Sequence, residues 1–133
     1  MILHYKNETG ERFCFLDSME YNEDSDIIKL LFKSAKHSYR APLLNKNTVE
    51  ERENPKTIEE GEQFKTHLLI KFIAGDALVF LESYKNGLTL KLVAEYFNEF
   101  ILRYNGSHKR EKIKGYFSFD AVPRDDFREV LDN

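Results

Sequence analysis

Four charged residues in the middle of the chain are of the types that metal-dependent nucleases use. They are Glu62, Asp76, Glu82 and Lys85. Carboxylates near one strand can bind Mg²⁺, and a lysine beside them helps to position water. Glu82 and Lys85 are three residues apart in a predicted strand, so their side chains point to opposite faces, whereas a shared site needs an even spacing. The pattern favours solvated ends of a hairpin, and we predict no catalytic residue.

Histidine and cysteine show no spacing typical of a metal site. The chain has four histidines, namely His4, His37, His67 and His108. None has a helix-spaced partner of the H-E-x-x-H kind. His67 lies between Lys65 and Lys71 on the wetter face of a predicted strand, where it could contact an anion. Cys14 stands between two phenylalanines, which indicates a small buried side chain rather than a nucleophile. Glycine-rich nucleotide motifs are also absent, so we predict no metal and no cofactor.

A basic run follows the last long predicted helix. Between residues 103 and 114 the single acid is Glu111, and the bases are Arg103, Lys109, Arg110, Lys112 and Lys114. Such a cluster can neutralise phosphates, and tyrosines such as Tyr84 and Tyr116 can stack on bases. The same charges are also typical of a solvated strand entry. The candidate nucleic-acid-binding residues are Lys109, Arg110, Lys112, Lys114, Tyr116 and His67.

The helix before this run has an apolar stripe wider than one contact with a sheet needs. The core-facing set is Leu90, Val93, Phe97, Ile101 and Tyr104, and the extra apolar residues are Leu92, Tyr96 and Phe100. A predicted strand that contains Phe80 also has two apolar faces. Either these residues lie deep in their own domain, or they form a protein interface. The candidate partner-binding residues are Leu92, Tyr96, Phe100 and Phe80.

Composition limits the class of protein. A length of 133 residues with 41% hydrophobic residues and 11 phenylalanines predicts one domain, residues 1–133, with a proper core. The single cysteine excludes an internal disulfide and indicates a cytoplasmic protein. No stretch approaches the roughly 20 apolar residues of a membrane span. The net charge of −3 gives no general attraction to nucleic acid or to acidic membranes, so we expect no membrane partner.

The first half of the chain predicts a hairpin, a helix and a loop. Residues 2–6 and 12–17 alternate like the two strands of a hairpin. After an acidic stretch at 17–26, Ser25 or Asp24 can cap a helix with Ile27, Ile28, Leu31 and Ala35 at helical spacing. A short edge strand is expected within residues 38–44, and residues 45–62 predict an acidic surface loop.

The second half predicts strands around a long helix. Residues 64–72 alternate most clearly, with one buried face and one wet face. Residues 77–85 are apolar on both faces and predict a central strand. Thr89 can cap a helix that runs from Leu90 to about Tyr104, and Gly106 would end it. Residues 113–121 predict another strand, and Pro123 suits the first turn of a final helix from Arg124.

These elements predict an α+β fold, in which a mostly antiparallel sheet has its helices on one face. A ferredoxin-like arrangement, that is a split βαβ, with an added N-terminal hairpin is the first choice of topology. The chain stops two residues after Leu131, which fits a natural end and also the N-terminal fragment of a longer protein.

One part of the sequence resembles a known group of proteins. The relevant stretches are Gly61-Glu62, Thr66-His67-Leu68-Leu69-Ile70, Phe80-Leu81-Glu82, Asn86-Gly87-Leu88-Thr89 and Tyr96-Phe97-Asn98. Together they resemble the N-terminal portion of uncharacterised bacterial proteins linked to phage defence and mobile elements. The resemblance implies a hairpin and helix module ahead of a further domain, with a role in recognition or assembly. It implies no catalytic residue.

The sequence thus leads to two functional hypotheses. The first is a non-enzymatic interaction domain that binds a protein partner or a second copy of itself, as part of a bacterial antiviral defence protein. The alternative is a nucleic-acid-binding or nuclease-associated domain that uses the basic loop 107–116. The mass in solution with and without an oligonucleotide would distinguish them.

Overall fold

The computed structural model describes residues 1–8 and 10–122 of the chain. Contacts divide the chain into two compact units, residues 1–88 and the residues from 89 onward, and each is described by itself. An α+β class is confirmed, because the described residues form a mostly antiparallel sheet and one helix. That the whole chain forms one domain stays a prediction.

The first unit contains the strands. Their bounds are β1 Ile2–Asn7, β2 Gly10–Asn22, β3 Ile27–Lys36, β4 Leu43–Leu44, β5 Glu51–Arg52, β6 Phe64–Ile73 and β7 Asp76–Leu81. Five of them form a sheet of order β1-β2-β3-β6-β7, and every neighbouring pair is antiparallel. The short strands β4 and β5 pair separately with each other. The sheet is therefore an antiparallel meander, in which a long connection that contains β4 and β5 joins β3 to β6.

Two sequence predictions for this sheet are confirmed. The opening hairpin is β1 and β2, in which Ile2 pairs with Phe15 and Asn7 with Gly10. The alternating strand 64–72 is β6, where Thr66 and Leu68 are buried while the neighbouring Lys65, His67 and Leu69 are exposed. Period-two patterns with one apolar face are the easiest strands to recognise.

The predicted helix around Ile27 is wrong, since this segment is strand β3. β3 lies between β2 and β6, and apolar side chains stand on both of its faces. Ile27, Leu31 and Ala35 recur every four residues, and that spacing also keeps them on one face of a strand. An apolar run of this kind fits a helix or a central strand equally well.

Two strand predictions also need correction. Within residues 38–44 only Leu43 and Leu44 form a strand, and they pair with Arg52 and Glu51. The predicted central strand 77–85 is β7, which ends at Leu81 and lies at one edge of the described sheet. Apolar residues on both faces favoured a central strand. A strand can have both faces covered and still lie at the edge of a sheet, with a hydrogen-bonded neighbour strand on one side only.

The ferredoxin-like topology is not confirmed. A split βαβ fold needs a helix between its first two strands, and the segment predicted as that helix is β3. The described strands instead follow one another as antiparallel neighbours. The placement of helices on one face of the sheet stays a prediction.

One face of the sheet carries the core of the first unit. Cys14 and Phe32 are 0% exposed, as is Thr66, and Leu68 is 1% exposed. The register puts these four side chains on the same face, because Phe32 pairs with Thr66 and Cys14 pairs with Ser34. The buried Thr66 hydroxyl accepts a hydrogen bond from the Leu88 N–H at 3.0 Å. That bond satisfies a polar group that would otherwise destabilise the core.

The segment 45–62, for which the sequence predicts an acidic surface loop, is exposed along most of its length and includes strand β5. Local hydrogen bonds give it shape. The Asn45 side chain accepts from the N–H groups of Asn47 and Thr48, and the Glu60 carboxylate accepts from the Thr57 N–H. The two Asn45 contacts form an Asx turn, in which a side-chain oxygen accepts hydrogen bonds from the backbone two and three residues ahead.

The second unit contains helix α1, Leu90–Ser107. As predicted, Thr89 caps its start, with the hydroxyl oxygen accepting from the Leu92 N–H at 3.2 Å. Gly106 does not end the helix, which continues through Ser107 with His108 as its C-terminal cap. Of the described residues, none belongs to a helix that is both long and apolar enough to cross a membrane.

The predicted strand 113–121 is wrong as well. These residues are irregular and pair with no strand in the described part of the chain. Gly115 lies within this segment and has a φ of +99°, a backbone conformation that residues with a Cβ rarely adopt. The final helix predicted from Arg124, with Pro123 in its first turn, lies outside the described residues.

Candidate functional site

Three aromatic rings form a column at the C-terminal end of α1. Phe100, Tyr104 and His108 are spaced by four residues, which places them on one side of the helix in successive turns. The Phe100 and Tyr104 ring centroids are 6.3 Å apart, and those of Tyr104 and His108 are 4.0 Å apart and nearly parallel at 8°. We call these three residues the ring stack.

The His108 ring is fixed by the helix end. Its Nδ1 lies 3.0 Å from the Tyr104 carbonyl oxygen, and its own backbone N–H donates to the same oxygen at 2.9 Å. A carbonyl can only accept, so Nδ1 carries the proton in this contact. The Nε2 atom is then left for another partner.

The chain beyond the helix runs back along it. Asn105 Oδ1 accepts from the Ile113 N–H at 2.7 Å, and Asn105 Nδ2 donates to the Ile113 carbonyl at 2.9 Å. Asn98 makes the same pair of bonds to Phe117, at 2.6 Å and 3.0 Å. Asn98 and Asn105 are seven residues apart, about two turns of helix, and so share one side of it. We call residues 109–119 the return segment.

An aromatic contact adds to these bonds. The Phe117 ring lies 4.9 Å from that of Phe97, centroid to centroid. Two amide side chains and one ring pair therefore hold the return segment against α1, although no β-ladder forms there among the described residues.

The return segment carries four exposed bases, which we call the four cations: Lys109, Arg110, Lys112 and Lys114. None has a carboxylate within 4.0 Å in the described part of the chain, whereas Arg103 on the helix is paired with Glu99 at 3.1 Å. Tyr116 is 81% exposed. A cavity of about 400 Å³ is lined by Ser107, His108, Lys109, Arg110 and Glu111. Five of the six predicted nucleic-acid-binding residues, which are neighbours in the sequence, thus lie in one exposed segment.

The sixth, His67, belongs to the first unit. Its Nδ1 lies 3.1 Å from Glu82 Oε2 on the exposed face of the sheet. The carboxylate beside it opposes the approach of an anion. We therefore do not include His67 in the candidate surface.

The predicted partner-binding residues differ in exposure. On α1, Tyr96 is 4% exposed, Leu92 is partly buried and Phe100 is 47% exposed. Phe80 is a partly buried residue of β7 in the first unit. Of the three predicted residues on the helix, Phe100 is therefore the most exposed.

The carboxylates considered for a nuclease site have separate partners. Glu62 pairs with Lys56 at 3.2 Å, Glu82 with His67, and the Asp76 carboxylate accepts from the Ala77 N–H. Across the described residues, no group of three or more His, Cys, Asp or Glu side chains could hold a metal ion.

Two histidines that the sequence placed apart meet in the first unit. The His4 ring lies 6.1 Å from that of His37, and both contact Phe13. His37 Nδ1 is 2.8 Å from Ser38 Oγ, and Ser38 has φ of 65°. The Ser38 N–H donates to the Ile58 carbonyl at 2.6 Å, which holds this conformation. Two imidazoles alone do not make a metal site, and in the described chain no third His, Cys, Asp or Glu side chain joins them.

Cys14 is a buried thiol, as the sequence indicates. Its burial raises the pKa from 9.0 to about 12, so the thiolate needed for nucleophilic attack is scarce near neutral pH. Cys14 therefore belongs to the core and not to a site.

The ring stack and the two asparagines were not recognised from the sequence. The four-residue spacing of Phe100, Tyr104 and His108 was the available signal. Comparison with models of protein families, with curated proteins and with solved structures found no match to this chain.

Proposed function

We propose that this chain is a non-enzymatic binding domain that holds single-stranded nucleic acid on the second unit. The observation that carries the proposal is the position of the ring stack, which ends where the four cations begin. Proteins that bind single strands combine aromatic rings, which stack on bases, with a basic surface that follows the phosphates. Tyr116, 81% exposed on the same segment, supplies a further ring.

Electrostatics supports the same assignment. The chain has a net charge of −3, so a general attraction to polyanions is not expected. The four cations stand close together without ion pairs among the described residues, and within the return segment, residues 109–119, the single acid is Glu111. Binding should therefore be local, salt-dependent and modest in affinity.

Fluorescence anisotropy of a labelled single-stranded oligonucleotide at low salt tests the proposal. We expect binding by the native protein, and loss of it when four residues are replaced by alanine: Lys109, Arg110, Lys112 and Lys114. The matched control removes the same charge from exposed lysines elsewhere, namely Lys6, Lys29, Lys46 and Lys91. No binding at low salt, or an equal loss in the control, would overturn the proposal.

A second proposal is self-association through the helix. Leu102 is 68% exposed and Phe100 is 47% exposed on α1, and exposed apolar side chains of this kind favour contact with another protein. This proposal keeps the assembly role implied by the resemblance to phage-defence proteins. Leu102 is outside the ring stack, so Leu102→Glu should lower the mass in light scattering while nucleic-acid binding persists. A monomeric native protein would rule the proposal out.

A further inference from the structure

The ring stack has one open end. Phe100 and His108 lie four residues before and after Tyr104, so the Tyr104 ring has an aromatic neighbour on each side along the helix. His108 is the last ring of the stack. On its other side no ring of the described residues stacks against it.

His108, the last ring of the stack, also lines a cavity. The cavity, about 400 Å³ and largely open to solvent, is lined by the five consecutive residues Ser107, His108, Lys109, Arg110 and Glu111. Lys109 and Arg110 line it together with His108. A planar ring and two adjacent cations match the two parts of a nucleotide, the base and the phosphate.

We propose that the outer face of the His108 ring is the stacking platform for one unpaired base, whose phosphate is held by Lys109 and Arg110. This inference rests on the proposed function and specifies the part of the nucleic acid that is recognised. The Tyr104 carbonyl fixes the His108 ring through Nδ1, so the platform is in place before the ligand arrives. A platform that needs no reordering loses less entropy on binding.

The platform selects single strands over duplexes. In a duplex each internal base is covered on both faces by its neighbours, so it cannot stack on His108 without leaving the helix. An unpaired base has a free face. The other rings of the stack support His108 from behind and do not themselves contact the base.

The experiment uses a single-stranded oligonucleotide with one 2-aminopurine, whose fluorescence changes when the base stacks. We expect the signal to change with the native protein and not with His108→Ala, which should also weaken binding by about fivefold or more. His108→Phe keeps a ring at this position and should restore both. His67→Ala removes an exposed histidine of the first unit and serves as the control.

The outcomes separate this inference from the proposed function. If His108→Ala binds and responds like the native protein, the platform is overturned while binding through the four cations stands. If His108→Ala loses binding and His108→Phe does not recover it, stacking is not the role of this ring and the inference also fails. If the native protein binds no oligonucleotide, both proposals fail. Circular dichroism of each variant checks that α1 remains helical.

Discussion

Asn105 holds Ile113 through both of its amide atoms, accepting from the Ile113 N–H at 2.7 Å and donating to its carbonyl at 2.9 Å. A side-chain amide here takes the place that a neighbouring strand would have in a sheet. The contact fixes the chain between Lys112 and Lys114, so the direction of two of the four cations depends on one uncharged residue of the helix.

Asn105→Ala should therefore release the return segment near Ile113. Two exposed hydrogen bonds are lost, and we expect a destabilisation of about 1 kcal/mol because water can replace them in part. Hydrogen exchange should become faster at the Ile113 amide. Asn98→Ala is the matched control and should affect the Phe117 amide instead. Unchanged exchange at Ile113 in Asn105→Ala would contradict the role of these two hydrogen bonds.

The salt dependence of oligonucleotide binding should report the number of phosphates that the protein contacts. For single strands each contact adds about 0.7 to the slope of log K against log salt concentration. Lys112→Ala should lower the slope by about that amount, whereas Lys91→Ala on the helix should leave it unchanged. Titrations at several salt concentrations measure both slopes. Equal slopes for Lys112→Ala and the native protein would show that Lys112 contacts no phosphate.

The sequence predicted β6 and α1, whereas the alternating residues 113–121 form no strand in the described part of the chain. β6 alternates between a buried and an exposed face, α1 has a wide apolar stripe at helical spacing, and both were placed to within a few residues. β3 was missed because Ile27, Leu31 and Ala35 satisfy a helix and a strand alike. Its identity is set by β2 and β6 on either side, which no local pattern reveals.

The candidate site was predictable in its charges and not in its geometry. The four cations stand together in the sequence and are exposed, as expected. The ring stack was missed because Gly106 was expected to end the helix, which placed His108 in a loop. The side-chain hydrogen bonds join Asn105 to a residue 8 positions away and Asn98 to one 19 positions away, and only the folded chain shows such pairs.

Two glycines should respond oppositely to alanine. At Gly61 an added Cβ would lie 1.6 Å from the Lys36 carbonyl oxygen, so the backbone must move at residue 36 or at residue 61. We expect Gly61→Ala to destabilise the protein by about 3 kcal/mol or more, as overpacking does. Gly106 is helical with open space around it, and Gly106→Ala should stabilise α1 by about 0.5–1 kcal/mol. Urea unfolding measures both, and a neutral Gly61→Ala would show that residues 36 and 61 are not in close contact.

Thr89 should contribute to the stability of α1 through its cap. Its hydroxyl oxygen accepts from the Leu92 N–H, one of the donors that a helix leaves free at its start. Thr89→Ala should cost about 1 kcal/mol, and Thr89→Ser should cost little because it keeps the oxygen. Thermal unfolding followed by circular dichroism compares the two. Equal melting temperatures for Ala and Ser would contradict the role of the hydroxyl.

The buried thiol of Cys14 should make the protein sensitive to alkaline pH. Burial raises its pKa from 9.0 to about 12, so between these values the unfolded chain is ionised while the folded chain keeps its proton. Ionisation then favours the unfolded state. The contribution of the Cys14 thiol to the free energy of unfolding is fully present below pH 9 and is lost as the pH rises towards 12. The slope for one such group approaches about 1.4 kcal/mol per pH unit.

Urea unfolding at pH 8, 9, 10 and 11 on the native protein and on Cys14→Ala measures this contribution. The variant loses some core packing at every pH, so the informative quantity is the difference between the two slopes. Burial also raises the pKa of Tyr5, and the neighbouring Cys14 charge raises it further, so the Tyr5 contribution is smaller in Cys14→Ala and the difference between the slopes includes this coupling. We expect the free energy of unfolding to fall more steeply for the native protein above pH 9. Parallel curves would mean that the Cys14 thiol ionises as readily in the folded chain as in the unfolded one, which a fully buried sulfur does not permit.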